Sequence, residues 1–127
     1  GVEIDAGALA AARRNAELAK VPLHLLRADV RAVELRGIDT VIMNPPFGAQ
    51  KSSQGDRAFL CRALQTASVV YSLHNRGSAA FIRSFVKPAT VEEMYLITYP
   101  LKRCFDFHSK SVKMIEVELY RIVRGSP

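Results

Sequence analysis

The sequence predicts an α/β fold built on a largely parallel sheet. Two observations carry this expectation. Strand-like and helix-like stretches alternate along most of the chain, which is the pattern of a sheet with helices on both faces. The stretch 39–43 is almost continuously apolar, as expected for a strand that is buried on both faces. The length of 127 residues, of which 49% are hydrophobic, fits a single domain with one core over residues 1–127.

The first forty residues alternate between strand and helix. Asp5 precedes an alanine-rich stretch whose apolar residues recur at helical spacing, so it is expected to cap a helix. Pro22 then breaks the helical pattern. The predicted elements of this part are strands at 2–4, at 23–28 and at 39–43, a helix at 6–20 and a short helical turn at 33–36.

The second half of the chain continues this alternation and then departs from it. Ser78 is expected to cap a helix that Pro88 ends. The last strand alternates apolar and charged residues with a period of two, and no helix separates it from the preceding strand. We therefore expect these two strands to form an antiparallel hairpin at one edge of the sheet. The predicted elements are helices at 56–67 and 78–87 and strands at 68–73, 93–99 and 112–123.

Charge and composition narrow the classes of function. The net charge is +6 and the isoelectric point about 9.7, which suits an anionic partner such as a nucleic acid. No apolar run is long enough to span a membrane and no signal-peptide pattern is visible, so a cytoplasmic protein is expected. Cys61 and Cys104 make no disulfide framework, and no Cys/His spacing predicts a metal site.

A motif of asparagine, two prolines and phenylalanine follows the most apolar strand directly. In open α/β sheets ligands bind outside the carboxyl ends of strands, so a site is expected here. Pro45 and Pro46 stiffen the turn and remove two backbone donors. The side-chain oxygen of Asn44 and the Pro45 carbonyl can accept both hydrogens of an amine, and Phe47 can stack on a planar base. The competing interpretation is a proline turn that ends a strand, with Phe47 in the core.

This arrangement suits methylation of an adenine amine. The adenine amino nitrogen is a poor nucleophile because its lone pair is delocalised into the ring. Two acceptors that hold both amino hydrogens favour a tetrahedral nitrogen, which can attack a methyl group in line. The target base must leave its stack to enter such a pocket.

Two further strand ends carry acidic residues. Glu3 can accept hydrogen bonds from both hydroxyls of a ribose, and Ile4 beside it can pack on a purine. Asp29 can accept a hydrogen bond from an adenine amino group, while the backbone N–H of Val30 donates to the ring. Taken alone, each acid is better explained as a solvated cap.

Together these segments resemble the class I adenine-N6 methyltransferases. The order Val-Glu-Ile-Asp at 2–5, Ala-Asp-Val at 28–30 and Asn-Pro-Pro-Phe-Gly at 44–48 is similar to the order in that group. The likeness is strongest to the methyltransferase-like-five family, which methylates an adenosine of small-subunit ribosomal RNA. It spans essentially the whole chain and includes Ala-Phe-Leu at 58–60, Val-Tyr-Ser-Leu-His at 70–74, Phe-His at 107–108 and the segment 111–117.

The resemblance implies S-adenosylmethionine as the methyl donor and a Rossmann-like sheet with the strand order three, two, one, four, five, seven, six. In the family, the first strand and a Gly-rich loop precede the segment that opens this sequence. The chain is therefore expected to be an N-terminally truncated methyltransferase domain of archaeal type, which lacks strand one and that loop. The residues implied to hold the cofactor are Glu3, Ile4, Asp29, Val30 and Asn44, and those implied to act on the adenine are Asn44, Pro45, Pro46 and Phe47.

A basic loop and an apolar strand edge are the predicted contact surfaces. Cations can contact RNA phosphates without reading sequence, although a solvated loop explains the same residues. The resemblance also implies a small zinc-binding activator subunit, which would dock on the edge strand that runs from Leu23 to Ala28. The predicted RNA-binding residues are Lys51, Lys102, Arg103, His108 and Lys110.

The same motif leaves other functions open. Residues 44–47 would hold any planar amide or amine, so methylation of a protein glutamine or of a guanine amine is an alternative. A catalytically silent RNA-binding module on the same fold is a second alternative.

Overall fold

The computed structural model describes residues 1–45, 55–101 and 113–125 of the chain. These residues divide into two compact units, Gly1–Arg36 and Gly37–Pro127, and each unit has its own sheet. In the described parts of the chain, no helix is long and apolar enough to cross a membrane.

The first unit is a pair of parallel strands joined by one helix. Strand β1 (Val2–Glu3) pairs with strand β2 (Leu26–Arg27), and helix α1 (Ala6–Ala19) connects them. Asp5 caps α1 as predicted, because its side chain accepts the backbone N–H of Ala8 at 2.7 Å. The strand–helix–strand unit predicted for this part of the chain is confirmed.

Two local predictions in the first unit are wrong. Only Leu26–Arg27 of the predicted strand 23–28 pairs in the ladder, because β1 offers only two residues as partners. The helical turn predicted at 33–36 lies earlier, where the N–H of Ala32 donates to the carbonyl of Asp29 at 3.0 Å. An aspartate at the first position of a turn stabilises it by accepting backbone N–H groups, and this local effect decides where the chain turns.

The second unit contains strands β3 (Ile38–Met43), β4 (Ala67–Asn75), β5 (Thr90–Leu101) and β6 (Lys113–Val123). They form a mixed sheet with the order β3-β4-β6-β5, in which β3 and β4 are parallel and β6 is antiparallel to both of its neighbours. The predicted antiparallel hairpin is confirmed. Strands β2 and β1 correspond to strands three and two of the predicted order, and β3-β4-β6-β5 correspond to strands four, five, seven and six. No ladder joins the two sheets among the described residues.

Helices α2 (Gly55–Thr66) and α3 (Ala79–Phe85) cover the same face of the second sheet. Both connections move across the sheet in the same direction, so right-handed crossovers place both helices on one side. The prediction of helices on both faces concerns the whole sheet, and this unit alone, with both its helices on one face, does not test it. The core that the helices share with the sheet consists of Leu60, Ala63, Val70, Ile82, Val86, Ala89, Tyr120 and Ile122.

The opposite face of the second sheet carries exposed apolar side chains. Ile42 is 82% exposed in β3, which lies at an edge of this sheet. Val41 and Met43 point the other way and pack against the core. The expectation that β3 is buried on both faces is met on one face only within the described residues, because α2 and α3 both pack on that face of the sheet. The other exposed apolar residues of this face are Tyr95, Ile97 and Tyr99.

Candidate functional site

The carboxyl ends of β1 and β2 carry the predicted cofactor residues. Beyond the two-residue ladder, the N–H of Ala28 donates to the carbonyl of Glu3 at 3.1 Å. Because the strands are parallel, this bond brings their carboxyl ends to the same edge of the pair. The structure therefore places Glu3 and Asp29, which are far apart in sequence, at one edge of the first unit.

The Glu3 carboxylate is oriented by its own turn. Its Oε1 accepts the backbone N–H of Ile4 at 2.7 Å and that of Asp5 at 2.9 Å. Its Oε2 has no hydrogen-bond partner among the described residues, and this oxygen retains two lone pairs for hydroxyl donors. The side chain of Ile4 is 59% exposed and is available for apolar contact.

The Asp29 carboxylate is already engaged by Arg31. The single N–H at Nε of Arg31 is shared between the two oxygens of this carboxylate, at 3.0 and 3.1 Å, and Nη2 donates to Oδ2 at 2.5 Å. The backbone N–H of the same residue donates to Oδ1 at 2.8 Å. The guanidinium hydrogen bond is the largest cause that lowers the pKa of Asp29 from 3.8 to about 2. The group is therefore ionised at neutral pH, but a ligand would have to share it with Arg31, whose side chain is 73% exposed.

This edge fits the adenosine portion of S-adenosylmethionine. The unpaired oxygen of Glu3 suits the hydroxyl donors of a ribose. The backbone N–H of Val30, which has no acceptor within the described ranges, suits a ring nitrogen. Asp29 fits less well, since its ion pair with Arg31 uses part of its capacity to accept hydrogen bonds. The roles of these residues in binding stay predictions.

Asn44 follows the carboxyl end of β3 in the second sheet. The ladder between β3 and β4 ends where Met43 lies opposite Ser72, so Asn44 is the first residue beyond it. Asn44 is exposed and Pro45 is buried. The buried ring of Pro45 anchors the chain directly after Asn44, whose amide is left exposed to solvent.

Several predicted site residues cannot be placed. Pro46, Phe47, Lys51, Lys102, Arg103, His108 and Lys110 lie outside the described residues. The stacking role of the phenylalanine and the RNA-binding role of the basic loop therefore stay predictions.

A buried carboxylate that the sequence did not single out lies behind the loop that follows β4. Glu118 of β6 accepts the N–H of Gly77 at 2.8 Å and that of Ser78 at 3.1 Å, and the hydroxyl of Tyr120 also donates to it. The sequence assigned the cap of α3 to the Ser78 side chain, but that hydroxyl donates to the carbonyl of Asn75 at 2.7 Å instead. The prediction of Ser78 as a side-chain cap is wrong, because its hydroxyl is turned to the Asn75 carbonyl and accepts no N–H of the first helical turn.

The polar network continues into β4. Nε2 of His74 lies 2.6 Å from Oγ of Ser72, and both side chains are buried. The His74 ring meets the ring of Tyr120 edge-on, with 5.8 Å between the ring centroids. The network thus joins the ends of β4 and α3 to the middle of β6.

The electrostatics of Glu118 favour its charged form. Burial, the largest single influence, raises its pKa, but the hydrogen bonds from Tyr120, Gly77 and Ser78 and the charge of Arg76 together lower the pKa below 4.5. Burial and the bond to Glu118 raise the pKa of Tyr120, so its hydroxyl stays protonated and donates. The period-two pattern of β6 grouped Glu118 with Glu116 and Arg121. Residues two apart in a strand lie on the same face, so Glu118 shares its face with Tyr120 and Ile122. The two large side chains at these positions could have indicated that this face is buried.

Comparisons with known proteins identify relatives of the chain. Residues 1–87 match the family model of the methyltransferase small domain. The rRNA N(6)-adenosine-methyltransferase of Drosophila melanogaster is 32% identical over 139 residues, which cover 99% of this chain and 63% of that protein. An uncharacterized protein of Methanocaldococcus jannaschii is 33% identical over 135 residues, covering 96% of this chain and 61% of that protein.

A solved structure agrees with these relatives. The crystal structure of a proposed RNA methyltransferase from Pyrococcus horikoshii superimposes with a TM-score of 0.82 and 32% identity, covering 97% of this chain and 61% of that one. The chain spans about three fifths of the length of the curated relatives that it matches.

Proposed function

This chain belongs to the methyltransferase small domain family, and we propose that the protein carrying it methylates the N6 amine of an adenosine in ribosomal RNA. S-adenosylmethionine is the methyl donor of the family, and it supplies the methyl group as an electrophile on its sulfonium. The observation that carries the proposal is the exposed amide of Asn44 at the carboxyl end of β3, directly before the buried Pro45. The likeness to the rRNA N(6)-adenosine-methyltransferase of Drosophila melanogaster supports the choice of acceptor.

The chain's own groups would orient the acceptor amine. The side-chain oxygen of Asn44 and the carbonyl of Pro45 accept one amino hydrogen each, which directs the nitrogen lone pair toward the methyl group. Neither acceptor has to move during the reaction, because β3 and the buried proline ring hold the turn. No strongly basic side chain is needed before the attack, since the nitrogen becomes more acidic as it bonds to carbon.

The first unit would hold the methyl donor through its adenosine. Oε2 of Glu3 accepts from the ribose hydroxyls, Ile4 packs on the purine and the N–H of Val30 donates to the ring. Asp29, which also pairs with Arg31, would accept a hydrogen bond from the amino group of the same adenine. These contacts are made equally before and during methyl transfer, so they set affinity and leave the rate of the chemical step unchanged.

Methyl transfer by the intact protein tests the proposal. Labelled S-adenosylmethionine is supplied with ribosomal RNA, DNA and a glutamine-containing peptide as acceptors, and the methylated nucleoside or residue is identified by mass spectrometry. N6-methyladenosine in RNA is expected. Methylated glutamine or methylated guanine would replace the proposal with one of the two alternative acceptors, and RNA binding without turnover would favour the catalytically silent module.

The Asn44→Ala variant tests the role of the amide in the same assay. Loss of a transition-state hydrogen bond of this kind is worth about 2.7–4 kcal/mol, so turnover should fall by about two to three orders of magnitude while cofactor affinity barely changes. Asn15→Ala removes an exposed asparagine from α1 and is the matched control. Equal turnover in the two variants would rule out the assigned role.

A further inference from the structure

The loop 75–78 joins the carboxyl end of β4 to α3. β4 is the direct neighbour of β3, and the two strands run parallel, so their carboxyl ends lie at the same end of the sheet. The last paired residues are Met43 and Ser72, which leaves Asn44 and the loop only a few residues beyond the ladder on adjacent strands. Asn44 and this loop therefore lie at the same end of the sheet, on adjacent strands.

The loop is held in one conformation from behind. Glu118 accepts the N–H groups of Gly77 and Ser78, and Ser78 in turn donates to the carbonyl of Asn75. Gly77 has a φ of 92°, which residues with a side chain rarely adopt. Glu118 is buried, with 6% of the residue exposed, and these three hydrogen bonds restrain the backbone on either side of Arg76.

Arg76 is the charged residue that this loop presents outward. Its side chain is 61% exposed, and its guanidinium pairs with Glu116, whose side chain is 40% exposed. Exposed ion pairs of this kind contribute little to stability, so the guanidinium can exchange its partner at low cost. A planar guanidinium binds phosphate oxygens in a two-pronged manner, and phosphate is the anion that an RNA strand carries along its length.

We propose that Arg76 contacts a backbone phosphate of the bound RNA and that Glu118 is a positioning residue which holds the loop carrying it. The proposal rests on the proposed function, because it takes RNA as the substrate. A phosphate contact one strand away from Asn44 fixes the register of the RNA without reading its sequence. Glu116 releases Arg76 when the phosphate arrives, and the fixed loop keeps the backbone of Arg76 in the same place relative to Asn44.

RNA binding by the intact protein over a range of salt concentrations tests the contact at Arg76. The probe is a fluorescently labelled single-stranded oligoadenosine. Each phosphate contact to a single strand contributes about 0.7 to the slope of log affinity against log salt, so Arg76→Gln should lower that slope by about 0.7. The KM for RNA should rise about tenfold, with kcat and the affinity for S-adenosylmethionine unchanged.

Arg83→Gln is the matched control for this experiment. Arg83 lies in the last turn of α3 and lines a cleft with Thr90 at the start of β5. Because β5 runs parallel to β3, Arg83 lies near the amino ends of these strands, and Asn44 follows the carboxyl end of β3. The Arg83→Gln variant removes the same charge, and its slope of log affinity against log salt should equal that of the wild type. A slope for Arg76→Gln equal to that of the control would overturn the phosphate contact.

Hydrogen exchange of the free protein tests the positioning role of Glu118. Glu118→Gln replaces charge-assisted hydrogen bonds by neutral ones, which are about half as strong, so the amides of Gly77 and Ser78 should exchange about tenfold faster. The KM for RNA should rise as in Arg76→Gln. Glu93→Gln is the control, because the Tyr95 hydroxyl donates to Glu93 across the same two-residue spacing on an exposed strand.

A milder variant covers the case in which Glu118→Gln does not fold. Tyr120→Phe removes only the hydroxyl donor and should speed exchange at Gly77 and Ser78 to a smaller extent. Unchanged exchange at both amides in the folded variants would overturn the positioning role.

The outcomes separate this inference from the proposed function. A wild-type protein that binds the oligoadenosine but methylates no RNA contradicts the proposed function alone, and the salt slope still decides the role of Arg76. A wild-type protein that methylates RNA, with an unchanged slope and KM in Arg76→Gln, contradicts the inference alone. A wild-type protein that binds no RNA overturns both.

Discussion

The backbone N–H of Ala28 donates to the carbonyl of Glu3 at 3.1 Å, one residue beyond the ladder of β1 and β2. A matching bond from the N–H of Leu26 to the carbonyl of Gly1, at 2.9 Å, flanks the ladder at its other end. These bonds extend the pairing of two very short strands. As a result, a ligand held by Glu3 is within reach of the backbone that follows β2, which is the arrangement expected for an adenosine that bridges two strand ends.

The Glu3→Gln variant is expected to bind S-adenosylmethionine about tenfold to a hundredfold more weakly. A hydrogen bond to a charged acceptor is worth about 1.5–3 kcal/mol, and the substitution makes the acceptor neutral. Glutamine retains an oxygen that can accept the N–H groups of Ile4 and Asp5, so the turn itself should persist. Calorimetric titration of the intact protein measures the affinity. Glu17→Gln, in the exposed part of α1, is the control, and equal affinities of the two variants would refute the ribose contact.

Phe47→Ala is expected to weaken RNA binding by about 1–3 kcal/mol, because stacking of a base on an aromatic ring contributes that amount. Phe47→Tyr keeps the flat ring and should cost much less. Binding is measured by fluorescence anisotropy and folding by thermal unfolding of the same samples. If both variants unfold, Phe47 is a core residue and its stacking role is wrong.

Tyr120→Phe is expected to make the protein more sensitive to acid. The pKa of Glu118 lies below its ordinary value of 4.5, so its charged form contributes stability above pH 4.5 that is lost as the pH falls through the lowered pKa. Removing the Tyr120 hydroxyl removes one of the bonds that lower this pKa. The charged form then contributes less stability, so the acid unfolding transition should lie at a higher pH than in the wild type, which circular dichroism during acid titration would measure.

Tyr95→Phe provides the comparison for this titration. It removes a tyrosine hydroxyl that donates to the exposed Glu93. Its acid transition should match that of the wild type. If the transitions of Tyr120→Phe and Tyr95→Phe coincide, the carboxylate of Glu118 does not contribute to acid stability in the manner described.

Leu60→Ala is expected to lower the free energy of unfolding by about 2–5 kcal/mol, because Leu60 is fully buried between α2 and the sheet. Leu18→Ala makes the same chemical change where the side chain is 82% exposed, and should cost less than about 0.5 kcal/mol. Urea unfolding of the intact protein measures both. A similar cost for the two variants would show that the assigned core is wrong.

Leu26→Glu is expected to abolish binding of a protein partner at the β2 edge. Leu23 and Leu26 are both exposed beside the short ladder, and an apolar strand edge invites pairing with another chain. We propose that this partner is a small zinc-binding activator subunit, which light scattering and the zinc content of the purified complex would detect. Leu18→Glu on α1 is the control. An intact protein that is monomeric and fully active alone would contradict the proposal.

The sequence by itself determined the features that depend on neighbouring residues. The cap of α1 at Asp5, the strand that ends at Met43 and the alternation of strands and helices follow from side-chain types at helical or strand spacing. The position of Asn44 directly after β3 follows from the same local pattern. The strand order followed from the family resemblance, and the ladders agree with it in both sheets.

Only the tertiary structure decided which face of each strand is covered and which distant groups meet. Glu118 belongs to a polar alternation in the sequence, yet it is buried, because α3 packs on that face of β6 and the loop before α3 donates two N–H groups to the carboxylate. The pairing of Asp29 with Arg31 depends on a turn that the sequence placed several residues later. Burial and hydrogen bonding across long separations depend on how elements pack, and the periodicity of a single element does not contain that information.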